Sequence, residues 1–241
     1  MKILVIIPAY NEELNILNTC KQLNKANKKM KWKVDYLVIN DGSKDRTSEV
    51  CKENQLPCIN LVQNLGIGGA VQTGYKYAYE NDYDIAIQFD GDGQHDASYL
   101  SSLIEPIVNK EASMTIGSRY ISTLSEFKST KIRQLGIKIL SFVLKVCTRK
   151  KVYDVTSGFR AINRDVIKLF KEDYPIDYPE PESLVNVVKH GYMIQEIPVK
   201  MNERKYGKSS ITPLKSIYYM IKVSLSILIN SIVIEKESEN R

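Results

Sequence analysis

At 241 residues with 43% apolar content, the chain has the length and composition of one ordinary globular domain, with room for a small second unit. A formal charge of +6 and a pI near 8.9 favour an anionic partner such as a nucleotide or a phospholipid surface. Basic residues are not interleaved with aromatics in the manner of RNA binders, which sets nucleic acid aside. Four cysteines without a C-x-x-C pair and only two histidines set aside a zinc site and a disulfide framework, and fit a reducing cytoplasm.

Ile3 to Ile7 is a short apolar run before Pro8, too brief for a signal-peptide core and patterned like a parallel strand covered on both faces. Pro8-Ala9-Tyr10-Asn11-Glu12-Glu13 follows. Asn11 is the predicted N-cap of a helix carrying Leu14, Leu17, Cys20, Leu23 and Ala26 at helical spacing. A second strand, Val34 to Ile39, ends in the polar turn Asn40-Asp41-Gly42-Ser43. A short third strand runs near Cys58 to Val62. The glycine-rich stretch Asn64 to Gly74, with Gly68 at its centre, opens a helix to Tyr79, but it matches neither G-x-G-x-x-G nor a P-loop.

The fourth strand is Ile85-Ala86-Ile87-Gln88-Phe89, and it ends in Asp90-Gly91-Asp92-Gly93-Gln94-His95. On an extended chain Asp90 and Asp92 point the same way, and Gln94 adds a neutral oxygen. Two carboxylates and an amide suit a hard divalent ion, Mg²⁺ or Mn²⁺, which shares its shell with substrate phosphates. A surface Asp-Gly turn is the plainer reading of the same residues. His95 is expected to cap the next helix, Ala97 to Val108, or to support this turn. A fifth strand, Ala112 to Ile116, leads into Gly117-Ser118-Arg119-Tyr120.

The second half is less regular. Lys131 to Thr148 reads as an amphipathic helix, with Ile132, Leu135, Ile139, Phe142, Val143 and Val146 set against lysines. Asp154 to Arg160 precedes another strand. Pro181 opens a helix carrying Glu180 and Glu182 at its start, where the dipole favours acids. Tyr192 to Lys200 alternates like a strand, and Glu203 to Ser210 is a basic loop holding Arg204 and Lys205. Ile217 to Ile234 is apolar but interrupted by Lys222 and Asn230. A helix lying on a membrane, one packed on protein and a short span all remain open for that segment. Strands alternate with helices and polar residues gather at strand ends, as in α/β folds that bind ligands at the carboxyl edge of the sheet.

Taken in order, Pro8-Ala9-Tyr10-Asn11-Glu12, Asp41-Gly42-Ser43, Asp90-Gly91-Asp92-Gly93-Gln94-His95, Gly117-Ser118-Arg119 and Ser157-Gly158-Phe159-Arg160 resemble the family-two inverting glycosyltransferases of the GT-A fold. The likeness spans roughly residues 1–210 and is nearest to the dolichyl-phosphate mannose and polyprenyl-phosphate hexose synthases. It implies a GT-A catalytic domain over 1–212, with a nucleotide-sugar half (1–118) and an acceptor half (119–212), and an apolar C-terminal helix and polar tail over 213–241. It implies a nucleoside diphosphate sugar donor (UDP, GDP or dTDP) bound by Pro8, Tyr10, Asn11, Glu12, Asp41, Ser43, Gly68, Asp90 and Gly91. Asp90, Asp92 and Gln94 would hold Mg²⁺ or Mn²⁺ against the diphosphate.

The resemblance further implies a cytoplasmic enzyme peripheral to the inner membrane face, acting on a polyprenyl phosphate or lipid-linked glycan in surface polysaccharide synthesis. An ionised lipid phosphate, with a second pKa of about 6, needs cations rather than a base. Arg119, Arg133, Arg160, Arg204 and Lys205 are the candidate cations. A sugar hydroxyl acceptor would instead need a carboxylate, Glu182 or Glu180. The expected catalytic set is Asp92, Arg119, Arg160 and Glu182. A second copy of the chain or a membrane protein is a further candidate partner. The rivals are a sugar-nucleotide pyrophosphorylase, which would want a basic glycine-rich loop where Pro8 to Glu12 stand, and a non-catalytic scaffold of a polysaccharide assembly complex.

Overall fold

The computed structural model describes residues 1–121, 131–202, 220, 222–229 and 231. Among the described residues seven strands make one sheet: β1 (Ile3–Ala9), β2 (Asp35–Asn40), β3 (Cys58–Asn60), β4 (Ile85–Gln88), β5 (Met114–Ser118), β6 (Arg160–Asn163) and β7 (Ile194–Pro198). Their order is β3-β2-β1-β4-β6-β5-β7. Only β6 runs against its neighbours; the other pairings are parallel. Helices flank the sheet, among them α1 (Ile16–Asn27), α2 (Thr47–Glu53), α3 (Gly66–Glu80), α4 (Leu100–Val108), α5 (Lys131–Thr148), α6 (Arg164–Glu172) and α7 (Pro179–Lys189). This is the α/β, mostly parallel architecture expected. The two sequence halves share the sheet, because β6 lies between β4 and β5.

β1 explains the layering. Every residue in it is buried, and alternate side chains serve opposite faces. Ile3, Val5 and Ile7 pack with Ile16, Cys20 and Leu23 of α1 and Leu100, Leu103 and Ile104 of α4. Leu4 and Ile6 pack with Ala70, Val71 and Tyr75 of α3, and with residues of α6 and α7. Each fully buried Ile or Leu contributes roughly 1.5–3 kcal/mol, so this strand alone anchors both layers. Tyr75, Phe170 and Tyr174 form an aromatic cluster with ring centroids 4.9–5.4 Å apart.

Several boundaries differ from the sequence reading. α1 begins at Ile16, not after Asn11. Asn11 has φ of +56°, donates its backbone N–H to Ser43 Oγ and accepts from Lys44 N. These bonds to the next loop displace a helix start, and Leu14 is left exposed. β3 stops at Asn60, and Val62 is fully exposed. α5 has the expected limits but the opposite face inward. Ile137, Leu140 and Leu144 are buried, while Leu135, Ile139, Phe142 and Val146 face out. The helix carries two apolar stripes, and Gly136, which packs on Met220, helps to fix which one turns inward.

In the C-terminal stretch Val223 and Ile227 are buried in the core, and Lys222 Nζ donates to Asp177 Oδ2 at 2.7 Å. Among the described residues no helix is long and apolar enough to cross a membrane.

Gly68, expected at the nucleotide, has a packing role in the fold. A Cβ there would fall on the carbonyl oxygens of Pro175 and Ile176, which approach the first turn of α3. Gly68→Ala is therefore expected to destabilise the fold by about 1–3 kcal/mol, read as a lower urea midpoint at unchanged slope. An unchanged midpoint would show that the 175–176 segment yields freely.

Candidate active site

The strand order reverses direction beside β1. β2 lies on one side and β4 on the other, with α1 and α3 on opposite faces. Such a point leaves a crevice beyond the carboxyl ends of the strands. Its walls are the segments following β1, β2 and β4.

The first two walls are tied together. Besides the Asn11 bonds, Glu12 N donates to Thr47 Oγ1 at 2.9 Å and Arg46 N to Glu13 Oε2 at 2.9 Å. Glu12 Oε2 accepts from Asn15 Nδ2 at 2.7 Å. Asp41 is buried; its carboxylate accepts from Leu65 N at 2.7 Å and Asn64 Nδ2 at 2.9 Å, joining the β2 turn to the segment before α3. Pro8 is buried, and its carbonyl accepts from Gly91 N at 3.3 Å. Tyr10 stands half-exposed at the rim. Pro8, Tyr10, Asn11, Glu12, Asp41, Ser43, Asp90 and Gly91 thus gather on adjoining strand ends.

The third wall is the Asp90–His95 segment. It is a turn, not the extended chain from which a common direction for Asp90 and Asp92 was inferred; Gly93 has φ of +78°. Asp92 is nearly buried, and its Oδ1 accepts from Gln94 N at 2.9 Å. Asp90 is clamped from several directions. Its backbone N donates to His95 Nδ1 at 3.0 Å, and its Oδ2 lies 3.5 Å from His95 Nε2. Gln88 Nε2 donates to Asp90 Oδ1 at 3.4 Å. Gly158, just before β6, comes so close that a Cβ there would sit 2.9 Å from Gln88 Nε2 and 3.0 Å from Asp90 Oδ2.

His95 itself is buried, stacked on Phe159 at 4.7 Å and edge-on to Phe89 at 5.3 Å. Accepting a backbone N–H requires an unprotonated Nδ1, which puts the ring proton on Nε2, toward Asp90. Burial pulls its pKa below the ordinary 6.5, against the upward pull of Asp90 and Asp92.

Two of the arginines expected to meet an acceptor phosphate, Arg119 and Arg160, are engaged within the protein. Arg119 is 4% exposed; its Nε and one terminal nitrogen each donate to Asp154 at 2.7 Å, and the same nitrogen reaches Thr156 Oγ1 at 3.0 Å. Arg160 is 1% exposed and donates to Ser157 O, Ser183 Oγ and Val155 O. Both are better described as braces for the Ser157-Gly158 segment that abuts Asp90 than as phosphate ligands. The side chain of Arg133 lies outside the described residues, as do Arg204 and Lys205.

On α7 Glu180, two residues before the expected Glu182 and in the same first turn, interacts electrostatically with Arg160 and Asp90. Burial raises the pKa of Glu180, Arg160 lowers it and Asp90 raises it, with Gln88 as a hydrogen-bond partner. The Pro-Glu-Pro-Glu spelling offers two acids that the sequence does not distinguish.

Among the described residues no three His, Cys, Asp or Glu side chains converge as a metal cage. Asp90 and Asp92 supply hard oxygens on a glycine-bearing turn, Gln94 follows, and a diphosphate would complete the shell. The donor chemistry therefore fits Mg²⁺ or Mn²⁺.

A sheet of this order with an Asp-Gly-Asp turn at its switch point has the GT-A architecture. Glucosyl-3-phosphoglycerate synthase from Mycobacterium tuberculosis, solved with Mn²⁺ and UDP, shares the fold at a TM-score of 0.68 and 17% identity, over 95% of this chain and 79% of that one. The family profile of Glycosyl transferase family 2 matches residues 4–170, and the chain belongs to that family. It is a glycosyltransferase. Among its relatives, a UDP-N-acetylglucosamine–dolichyl-phosphate N-acetylglucosaminyltransferase of Methanococcus voltae is 33% identical, over 85% of this chain and 87% of that protein. A polyprenol monophosphomannose synthase of Mycolicibacterium smegmatis is 26% identical, over 92% and 85%.

The Asp90–His95 bond can be tested apart from catalysis. His95→Phe keeps the stacked ring but leaves the Asp90 N–H unpaired, an expected loss of about 1–3 kcal/mol in denaturant unfolding. A folded-state pKa below 6.5 means that the unfolded chain binds the extra proton. Native stability should therefore be full above that pH and fall as pH drops through 6.5, more weakly in His95→Phe. Equal stability and equal pH slope in the two proteins would contradict the assignment.

Proposed function

We propose that the chain moves a hexose or N-acetylhexosamine from a nucleoside diphosphate sugar to a polyprenyl phosphate or polyprenyl-linked glycan, at the cytoplasmic face of a membrane. The observation that carries this reading is the braced Asp90-Gly91-Asp92 turn at the sheet's switch point. The names of the family relatives, which specify dolichyl or polyprenyl acceptors, support the acceptor. UDP is the first nucleotide to test, because the 33%-identical relative uses it and the structural neighbour binds it.

Asp90, Asp92 and Gln94 would hold Mg²⁺ or Mn²⁺, which supplies charge neutralisation for the departing diphosphate. The walls formed by Pro8, Tyr10, Asp41 and Ser43 orient the nucleoside. An ionised phosphate oxygen of the acceptor attacks the anomeric carbon. The bond from that carbon to the diphosphate oxygen breaks, its electron pair leaves with the nucleotide, and configuration inverts. No proton need be removed from such an acceptor.

A second reading has its own observation. Burial and the charge of Asp90 raise the pKa of Glu180, which supports a role for it as base toward a hydroxyl acceptor.

Transfer assays separate the two. Labelled UDP-glucose or UDP-N-acetylglucosamine with Mn²⁺ and a short polyprenyl phosphate should yield an organic-extractable, anomerically inverted product. Asp92→Asn should lower the rate by about 10³-fold or more, and Glu180→Gln should leave it largely intact. Glycosylation of a saccharide hydroxyl instead, lost in Glu180→Gln, would select the second reading.

A further inference from the structure

From Phe127 to Tyr153 the sequence holds eight lysines and arginines and no aspartate or glutamate. This local charge exceeds the +6 of the whole chain, so the remainder is net acidic. Helix α5 occupies most of that segment, and its outward face is not polar. Leu135, Ile139, Phe142 and Val146 are 60%, 42%, 66% and 63% exposed. Their spacing of i, i+4, i+7 and i+11 aligns them in one row, opposite the buried Ile137, Leu140 and Leu144. Lys138 and Lys145 are exposed along one flank of the row, and Arg149, Lys150 and Lys151 cluster past its end. Single exposed apolar residues are ordinary; four in register on one helix mark an interaction surface.

We infer that this face of α5 seats the protein on an anionic lipid bilayer, with the apolar row entering the headgroup–acyl boundary and the lysines meeting lipid phosphates. Charge selects this occupant. A two-fold contact between copies of the chain would set one basic flank against another. A bilayer carrying anionic lipids accepts the apolar row and the basic flank together. Phe142, Lys138 and Lys145 also border a recess of about 620 Å³ that reaches Arg119 and Tyr120 at the end of β5. The docking face is therefore continuous with the carboxyl edge of the sheet. In the recess wall the Tyr120 hydroxyl is buried and has no hydrogen-bond partner among the described residues. The inference deepens the reading of a lipid-acceptor transferase, and rests on it for the choice of a bilayer over a protein surface.

Flotation of the full chain with vesicles tests it. Wild type should partition onto phosphatidylcholine vesicles containing phosphatidylglycerol and much less onto pure phosphatidylcholine. High salt should weaken the binding. The pair Phe142→Ser/Val146→Ser and the pair Lys138→Glu/Lys145→Glu should each lower partition by about tenfold or more. All four side chains are exposed, so melting temperature should hold, and UDP binding by calorimetry should match wild type. Wild type that stays off anionic vesicles, that binds neutral ones equally, or whose variants float as it does would overturn the proposal. So would a wild-type dimer that the serine pair converts to a monomer while no form floats. Failure of the transferase reading would show separately, as absent UDP binding in every form with flotation unchanged.

Discussion

The site depends on where the Asp90 carboxylate is held. An aspartate at a strand end ordinarily samples several rotamers, and a metal-bridged diphosphate needs one of them. Here the backbone is fixed by the Asp90 N–His95 Nδ1 bond, one carboxylate oxygen by Gln88, and the space behind it by the bare backbone of Gly158. Each constraint comes from a different place in the chain: the turn itself, the buried end of β4, and the entry to β6. The antiparallel insertion of β6 between β4 and β5 is what brings Gly158 to Asp90.

That insertion needs its own support, and the buried arginines provide it. Arg119 at the end of β5 binds Asp154 through its backbone N and its guanidinium. Glu196 in β7 in turn accepts from the backbone N–H groups of Tyr153 and Asp154. Arg160 closes over Ser157 O and Val155 O and reaches α7 at Ser183. Burying such charges is costly unless every donor is met, and a buried pair broken on one side typically loses about 3–5 kcal/mol. The reward is geometric. The 154–160 segment becomes a fixed strut between β5, β7 and α7, with Gly158 at its tip against the Asp90 turn.

Much of this was legible in the sequence, for physical reasons. Apolar runs such as Ile3 to Ile7 and Ile85 to Ile87 read as strands because strands covered on both faces have no polar side. The polar turns after them read as ligand-facing because α/β sheets bind at that edge, and motif order specified the family. Tertiary choices were hidden. Nothing in Asn11 reveals that Ser43 and Lys44 will claim it before α1 can start. The two apolar stripes of α5 are alike to a periodicity argument, and contacts outside the helix decide between them. Arg119 and Arg160 carry the chemistry of phosphate ligands, and only their buried partners identify them as braces.

The most direct test of the account is calorimetric titration of UDP into wild type and Asp90→Asn, each with and without Mn²⁺. The account predicts binding to wild type that tightens by about tenfold or more with Mn²⁺, and a loss of that metal dependence in Asp90→Asn while metal-free affinity persists. Metal-independent binding of equal strength to both proteins would contradict it, and would move the diphosphate away from the Asp90 turn.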